Sequence, residues 1–311
     1  MLPAGAFAPA GSFHRNGDQM LRNSRTEILV AYVLVAPFIF IYGWMFIYPT
    51  IQMVQLSFTD ANLIGGGKWV GLKNYHRMFA DPVFRRAVWN TTYFVLLTVV
   101  PGTIVAMLIA LMVSRLRGWV QSLVLSAFFL PFVLPITVVY VIWDWLTNVQ
   151  FGLMQALIEP IVGKPINIWR TIPWFMPGVA IITIWWTNGF SILLFLAGLR
   201  NIPQELYEAA ALDGATRWQM FTRITLPLLW PVTALCLTIQ LILQMKIFDQ
   251  VYLFAQGGRT QATMVMVQYI YEQAFQKNAG GYSATLAVAL FVVVVVFSVL
   301  QYQVLRIRGA K

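Results

Sequence analysis

The chain has 311 residues, of which 59% are hydrophobic and only 10% charged, with a formal net charge of +10. A soluble domain carries about 25% charged residues, so this composition excludes an ordinary soluble protein and points to a chain that crosses a bilayer repeatedly. The basic residues stand singly or in pairs between apolar runs, which excludes a nucleic-acid-binding stripe; the single cysteine, Cys236, excludes an intrachain disulfide and a cysteine-based zinc cluster.

Residues 1–27 are rich in Gly, Ala and Pro, carry Arg15, Arg22 and Arg25, and read as a disordered cytoplasmic tail. A bilayer core of about 30 Å needs about 20 apolar residues per helical crossing. Six spans are expected: Ile28 to Tyr48, Trp89 to Val113, Val120 to Leu146, Trp174 to Leu199, Leu228 to Phe254 and Tyr282 to Leu305. All should be helices, because a backbone exposed to lipid must satisfy its own hydrogen bonds. The fold class is therefore an all-α membrane protein, with residues 28–305 as the transmembrane domain and 306–311 as a second cytoplasmic tail. The first span is too long, and lacks the small-residue cleavage site, for a removed signal peptide. Gly65-Gly66-Gly67-Lys68 resembles a phosphate loop only superficially: the glycine spacing is wrong and Trp69 replaces the required Ser or Thr. It reads as a glycine turn. Pro101-Gly102 in the second span, and Pro131 and Pro135 in the third, predict local kinks. Tyr48, Trp143, Trp145 and Trp174 fit interfacial anchoring.

Polar residues inside the spans mark candidate sites. Thr183, Thr187 and Ser191 recur every four residues in the fourth span, beside Asn188, while Thr233, Gln240 and Gln244 form a stripe on the fifth. One reading makes Thr187, Asn188, Ser191, Gln240 and Gln244 a pathway for hydroxylated cargo, with Trp185 and Trp186 able to stack on a sugar face. The other makes them joints between helices, the hydroxyls bonding back to their own backbone. Lys246 and Asp249, spaced i and i+3, read as an intramembrane ion pair, structural or cargo-recognising, and Asp144 shares that ambiguity. The two histidines, His14 and His76, lie outside the spans and no metal-ligand spacing occurs, so no catalytic residue, cofactor or metal is assigned to this chain. An ion-coupled secondary transporter is the rival class; the sequence shows neither an inverted repeat nor a chain of carboxylates across the bilayer.

The segment 201–227 is polar and lodged between two apolar spans. Asn201 is expected as an N-cap with Pro203 in the first turn, followed by helix from Gln204 to Leu212. Leu206, Ala209 and Ala210 share one face, flanked by Glu205 and Glu208. Asp213-Gly214 signals a turn, and Thr216 can cap a second helix over Arg217 to Arg223, before Ile224-Thr225-Leu226-Pro227 leads into the next span. Two short helices about a glycine bend make a knob suited to a groove on another protein. The alternative, a helix lying on lipid headgroups, would set Glu205, Glu208 and Asp213 against anionic lipid.

The spacing Glu208-Ala209-Ala210, Gly214, Ile224 to Pro227 resembles the cytoplasmic coupling loop of bacterial ABC-importer permeases. Phe190 to Leu199 leading into Ile202-Pro203, Ser57-Phe58, Val70-Gly71-Leu72-Lys73-Asn74-Tyr75, Asp81, Phe84, Asn90-Thr91, Phe248 to Tyr252, Gly257-Gly258 and Tyr269-Ile270-Tyr271 extend the likeness over about residues 28–305. Arg259 stands where the family commonly has proline. The whole is similar to permeases of the carbohydrate-uptake family, such as maltose, multiple-sugar and glycerol-phosphate importers. An importer of the same kind for a non-sugar cargo is the nearest alternative.

That resemblance implies a second, usually nonidentical permease, two separate ATP-binding subunits carrying ATP and Mg, and a soluble binding protein on the outer face. It implies that Glu208 contacts the ATPase groove, that Ala209 and Ala210 allow close docking and that Gly214 sets the bend. Glu205, Asp213, Ile224, Leu226 and Pro227 complete the expected coupling set. Basic residues crowd the short connections and span ends of one side (Arg115, Arg117, Arg200, Arg217, Arg223, Arg306), which places both termini in the cytoplasm of a multi-pass inner-membrane protein.

Overall fold

The computed structural model describes residues 17–165, 167–256 and 262–309. The expected tail over 1–16 and the positions Gly257, Gly258 and Arg259 lie outside the described residues. Contacts divide the chain into two compact units, Met1–Gln55 and Leu56–Lys311.

The first unit is a long apolar helix. Helix α1 (Gly17–Tyr42) passes through a wider π turn, Gly43–Ile47, into α2 (Tyr48–Ser57). It begins at Gly17, inside the segment expected to be disordered. The stretch Glu27–Ser57 is long and apolar enough to cross a membrane, and none of its most hydrophobic window is buried within the chain. A helix apolar all round suits lipid or a partner helix as its surroundings. Phe38, Tyr42 and Phe46 stack along it with ring centroids 5.9 and 5.3 Å apart.

The second unit opens with a closed turn and a short amphipathic helix. Thr59 pairs with Trp69 in an isolated antiparallel bridge, and the Lys68 N–H donates to Asp60 Oδ1 at 2.6 Å, so the glycine run is a loop tip. Helix α3 (Lys73–Ala80) follows, then α4 (Pro82–Val113), which Asp81 caps by accepting from the Val83 N–H at 2.8 Å. Proline at the first helical position costs no hydrogen bond there. Helix α4 continues through Pro101 as one helix.

The third expected span is not one kinked helix. It is α5 (Gly118–Val133) and α6 (Ile136–Leu146), bent by 102° where Leu134 and Pro135 adopt extended backbone. Pro131 and Pro135 remove one donor from each of two consecutive turns, and the residue before Pro135 is pushed out of the helical region. The Trp186 indole meets one freed carbonyl, that of Leu134, at 3.1 Å. Helix α7 (Leu153–Val162) then precedes α8 (Ile172–Arg200), the central element, which packs chiefly against α4 and α5. A Cβ on Gly189 would lie 2.5 Å from the Phe128 carbonyl oxygen, so α5 and α8 can cross only at a glycine.

Beyond the polar loop, described below, the fifth span also departs from expectation. Helix α12 (Trp230–Met245) stops at Met245, and the chain resumes helix only in α13 (Asp249–Phe254). Helix α14 (Met266–Tyr271) and a π turn, Glu272–Gln276, lead to α15 (Gly280–Gly309), which runs past the expected span end. Helix α12 packs on α4 and α15. Among the described residues, four single helices and two bent pairs account for up to six crossings, six if each pair is one span. Among the described residues there is no strand beyond the isolated bridge.

The core is built from facing helices: Phe94, Val179, Phe175, Val251 and Phe254 fill one cluster, and Ala106, Ala110, Ile192, Phe195, Leu229 and Cys236 another. In a bilayer such contacts are held by close packing and interhelical bonds, since lipid is as apolar as leucine.

Candidate functional site

The loop after α8 forms the knob that its residues predict. Helix α9 (Gln204–Leu212) is followed by Gly214 at φ +76, the left-handed conformation that glycine enters without a Cβ penalty. Thr216 then opens α10 (Arg217–Met220) with a complete capping box: the Gln219 N–H donates to Thr216 Oγ1, and the Thr216 N–H donates to Gln219 Oε1 at 2.7 Å. The helix widens into a π turn, Phe221–Thr225, and passes through α11 (Leu226–Leu228) before bending by 59° into α12. One expectation fails locally. Asn201 closes α8 instead of opening α9, whose N-cap is Pro203 in extended backbone without a side-chain cap.

Glu205, Glu208, Ala209, Asp213 and Gly214 are exposed, as are Leu226 and Pro227, while Ala210 and Ile224 are half-buried. Gln204 donates to Glu208 Oε1 at 2.8 Å, which holds that carboxylate in place on the exposed face. Leu212 is 90% and Trp218 71% exposed, large apolar groups left uncovered at the tip. The knob's base is tied: the hydroxyls of Tyr207 and Thr225 share a bond of 2.8 Å.

The polar residues of α8 and α12 meet inside this unit. Gln240 donates to Ser191 Oγ at 3.2 Å, and Gln244 donates to Gln240 Oε1 at 3.1 Å; all three are buried. Thr183 and Thr187 donate back to the carbonyls of Val179 and Thr183 at 2.8 Å each. Asn188, 4% exposed, has an amide oxygen with no hydrogen-bond partner among the described residues and lies against Gly102 of α4.

Lys246 and Asp249 fall on either side of the break after Met245, so their i, i+3 spacing is not a helical one. Both side chains are exposed, and among the described residues no ion pair joins them.

At the end of α8 opposite the polar loop lies a cavity of about 590 Å³ that sequence reading did not single out. Asp144, Asn148, Gln150, Asn167, Trp169 and Arg170 line it. The Trp169 indole donates to Thr147 Oγ1 at 2.7 Å and its ring lies 4.3 Å from that of Phe254. Asp144 stands on α6 and the others in the α6–α7 and α7–α8 connections, with Phe254 of α13 also lining the space; of the six, only Asp144 stood out in the sequence. Among the described residues no group of three or more His, Cys, Asp or Glu could hold a metal ion.

Comparison with known proteins places these features in a family. Residues 102–308 match the family described as "Binding-protein-dependent transport system inner membrane component". The chain is 30% identical over 283 residues to the sulfoquinovosyl glycerol transport system permease protein SmoG of Agrobacterium fabrum, covering 90% of this chain and 91% of that one. It is 32% identical to the arabinooligosaccharides transport system permease protein AraP of Halalkalibacterium halodurans, covering 92% and 91%. Its structure resembles a chain of a bacterial ABC transporter that imports the acidic polysaccharide alginate, at TM-score 0.81 and 26% identity over 92% of this chain and 98% of that chain. The same kind of transporter in complex with an alginate-bound periplasmic protein gives TM-score 0.82 at 25% identity, covering 92% and 97%.

Proposed function

We infer the function from the family to which this chain belongs, the binding-protein-dependent transport system inner membrane components. It is the membrane-spanning permease subunit of an ABC importer for a sugar or sugar derivative, as its relatives' names support. A second permease completes the pathway, two separate ATP-binding subunits carry ATP and Mg, and a soluble binding protein delivers cargo on the outer face. Both termini lie in the cytoplasm.

The observation that carries this reading is the bent, exposed knob of α9 and α10 about Gly214. Its half-buried hydroxyl tie between Tyr207 and Thr225 supports transmission of force from the knob to α12. Glu208, fixed by Gln204, contacts the ATPase groove, with Glu205 and Asp213 on its flank. Ala209 and Ala210 let that surface approach closely, and Ile224, Leu226 and Pro227 join the knob to the span. Closure of the ATPase pair on ATP then rocks the attached helices between inward-open and outward-open states.

We assign the cargo path to the flank carrying Thr187, Asn188, Ser191, Gln240 and Gln244. Gln240 holds α12 to α8 through Ser191 and is braced by Gln244 of its own helix, and the unpartnered Asn188 oxygen, costly if left so at about 1–3 kcal/mol, supports its use by a hydroxyl donor. The cavity around Trp169 supports entry of a hydroxylated cargo at the outer end, since an aromatic face with nearby amides and a carboxylate suits sugars. The experiment is copurification of an ATPase with this subunit, and ATP-dependent uptake that Glu208→Lys abolishes; uptake unchanged in that variant refutes the coupling role.

A further inference from the structure

We propose that a phosphoryl anion binds at the base of the knob, in the cavity between the end of α4, the start of α5, the end of α8 and the knob itself. The cavity measures about 310 Å³ and is lined by Ser114, Arg115, Gln121, Arg200, Tyr207 and Thr225, over a leucine floor. Two guanidinium groups and several hydroxyls with no carboxylate among the lining residues form a donor-rich surface of one sign. Its most natural guest is an oxyanion, because guanidinium pairs with phosphate oxygens in a forked geometry.

The cavity shows preorganisation. Gln121 donates to the Val113 carbonyl at 3.0 Å and accepts from Arg200 Nη2 at 3.0 Å, so one arginine is held by a neutral partner and keeps its full charge. Arg115 also lines the cavity, exposed, and among the described residues no acid pairs with it. Tyr207 and Thr225 bond to each other, and both face the same space, so an anion here touches the two ends of the knob at once.

The leucine floor, Leu111, Leu196 and Leu199, favours the phosphate of a phospholipid over a free ion, since acyl carbons would cover it. Trp119, 75% exposed near the start of α5, marks the interfacial level at that end. Lipid as the source rests on the reading that the knob faces the cytoplasmic leaflet; phosphoryl binding itself does not.

Arginines just inside or beyond helix C-termini also complement the helix dipole, and the test must separate that role. Wild type, Arg115→Gln with Arg200→Gln, the corresponding pair of Lys substitutions, and Arg117→Gln are compared in the full complex. The first probe is phosphatidylglycerol in phosphatidylcholine vesicles, read as lipid retained on purification. The second is inorganic phosphate in detergent, read as a melting shift. At about one tenfold step or less per arginine, the double glutamine variant should bind about thirtyfold more weakly. The lysine pair, which returns the charge without the fork, should bind between wild type and the glutamine pair, and Arg117→Gln, outside the cavity, should keep full binding. Retention of lipid without a response to inorganic phosphate assigns the headgroup as the source; a response to both assigns a site open to free anions. Equal binding by wild type and the double glutamine variant, or an equal loss in Arg117→Gln, overturns the proposal. Labelling of a Leu212→Cys reporter from the outside would remove the transport reading while leaving the phosphoryl test to decide its own case.

Discussion

The Tyr282 hydroxyl donates to Asp81 Oδ2 at 2.7 Å, joining the start of α4 to the start of α15 across 201 positions of sequence. Tyr269 of α14 donates to the same oxygen, and the Arg77 guanidinium of α3 lies 4.1 Å above the Tyr282 ring. One carboxylate therefore caps α4 and gathers α14 and α15 onto it, closing the end of the unit that holds the isolated bridge and α3.

Burial alone pushes the Asp81 carboxyl up, but the hydroxyls of Tyr269 and Tyr282 and the Val83 N–H together hold it below the ordinary carboxylate range. A carboxyl lower in the folded than in the unfolded state adds stability that is complete above about pH 4 and lost as pH falls through the folded value. Asp81→Asn should cost about 1–2 kcal/mol at neutral pH, and should flatten the acid side of the melting profile. Melting curves of wild type and variant between neutral pH and pH 3 check this; parallel acid limbs would remove Asp81 from the account.

Gly214→Pro should leave the subunit inserted and assembled but uncouple ATP hydrolysis from uptake. Proline fixes φ near −65°, against +76 here, and deletes the N–H that donates to the Ala211 carbonyl at 3.1 Å. The bend must then re-form elsewhere, displacing α10. Hydrolysis and uptake measured on one reconstituted preparation check this, and coupled uptake at the wild-type ratio rejects the lever.

Thr216→Ala removes one half of the capping box of a four-residue helix. The loss is about 1 kcal/mol of local stability. Hydrogen exchange should quicken about fivefold over 216–220 with the spans unchanged, and a global fall in melting temperature would mean that the cap supports more than the knob.

Gln240→Leu with Gln244→Leu should reduce uptake several-fold in correctly assembled complexes. The interhelical bond from Gln240 to Ser191 is worth only about 0.6 kcal/mol in a membrane, and the bond from Gln244 to Gln240 lies within α12, so assembly should survive their loss. Unchanged uptake per complex would leave Gln240 as a joint between α8 and α12 and Gln244 as its brace alone.

Long apolar runs and the knob were legible in the sequence for different reasons. Helices α4, α8 and α15 follow from length and hydropathy alone, and the knob follows from Pro203, Gly214 and Thr216, residues whose backbone preferences are nearly self-sufficient. The 102° bend after Val133 was signalled by Pro131 and Pro135, but proline marks a disruption without fixing its angle. The stop after Met245 carried no such mark. Phe248 takes φ −145 and ψ −65 with neither Pro nor Gly beside it, so tertiary packing of Ile247 and Val251 overrides a helical pattern there. The same break separates Lys246 from Asp249. Asp81 and Tyr269 stood out only as family-like positions, because their partnership joins segments nearly two hundred residues apart. The Trp169 cavity is assembled from loops, where composition carries little geometry.

The central claim is that the knob over 201–227 faces the cytosol against an ATP-hydrolysing partner. The direct measurement is labelling of Leu212→Cys by a membrane-impermeant thiol reagent in right-side-out and inside-out vesicles, with and without the partner ATPase. The native Cys236 is fully buried and should stay silent. Reaction only in inside-out vesicles, suppressed when the ATPase is bound, is the expected result; reaction in right-side-out vesicles would contradict the account.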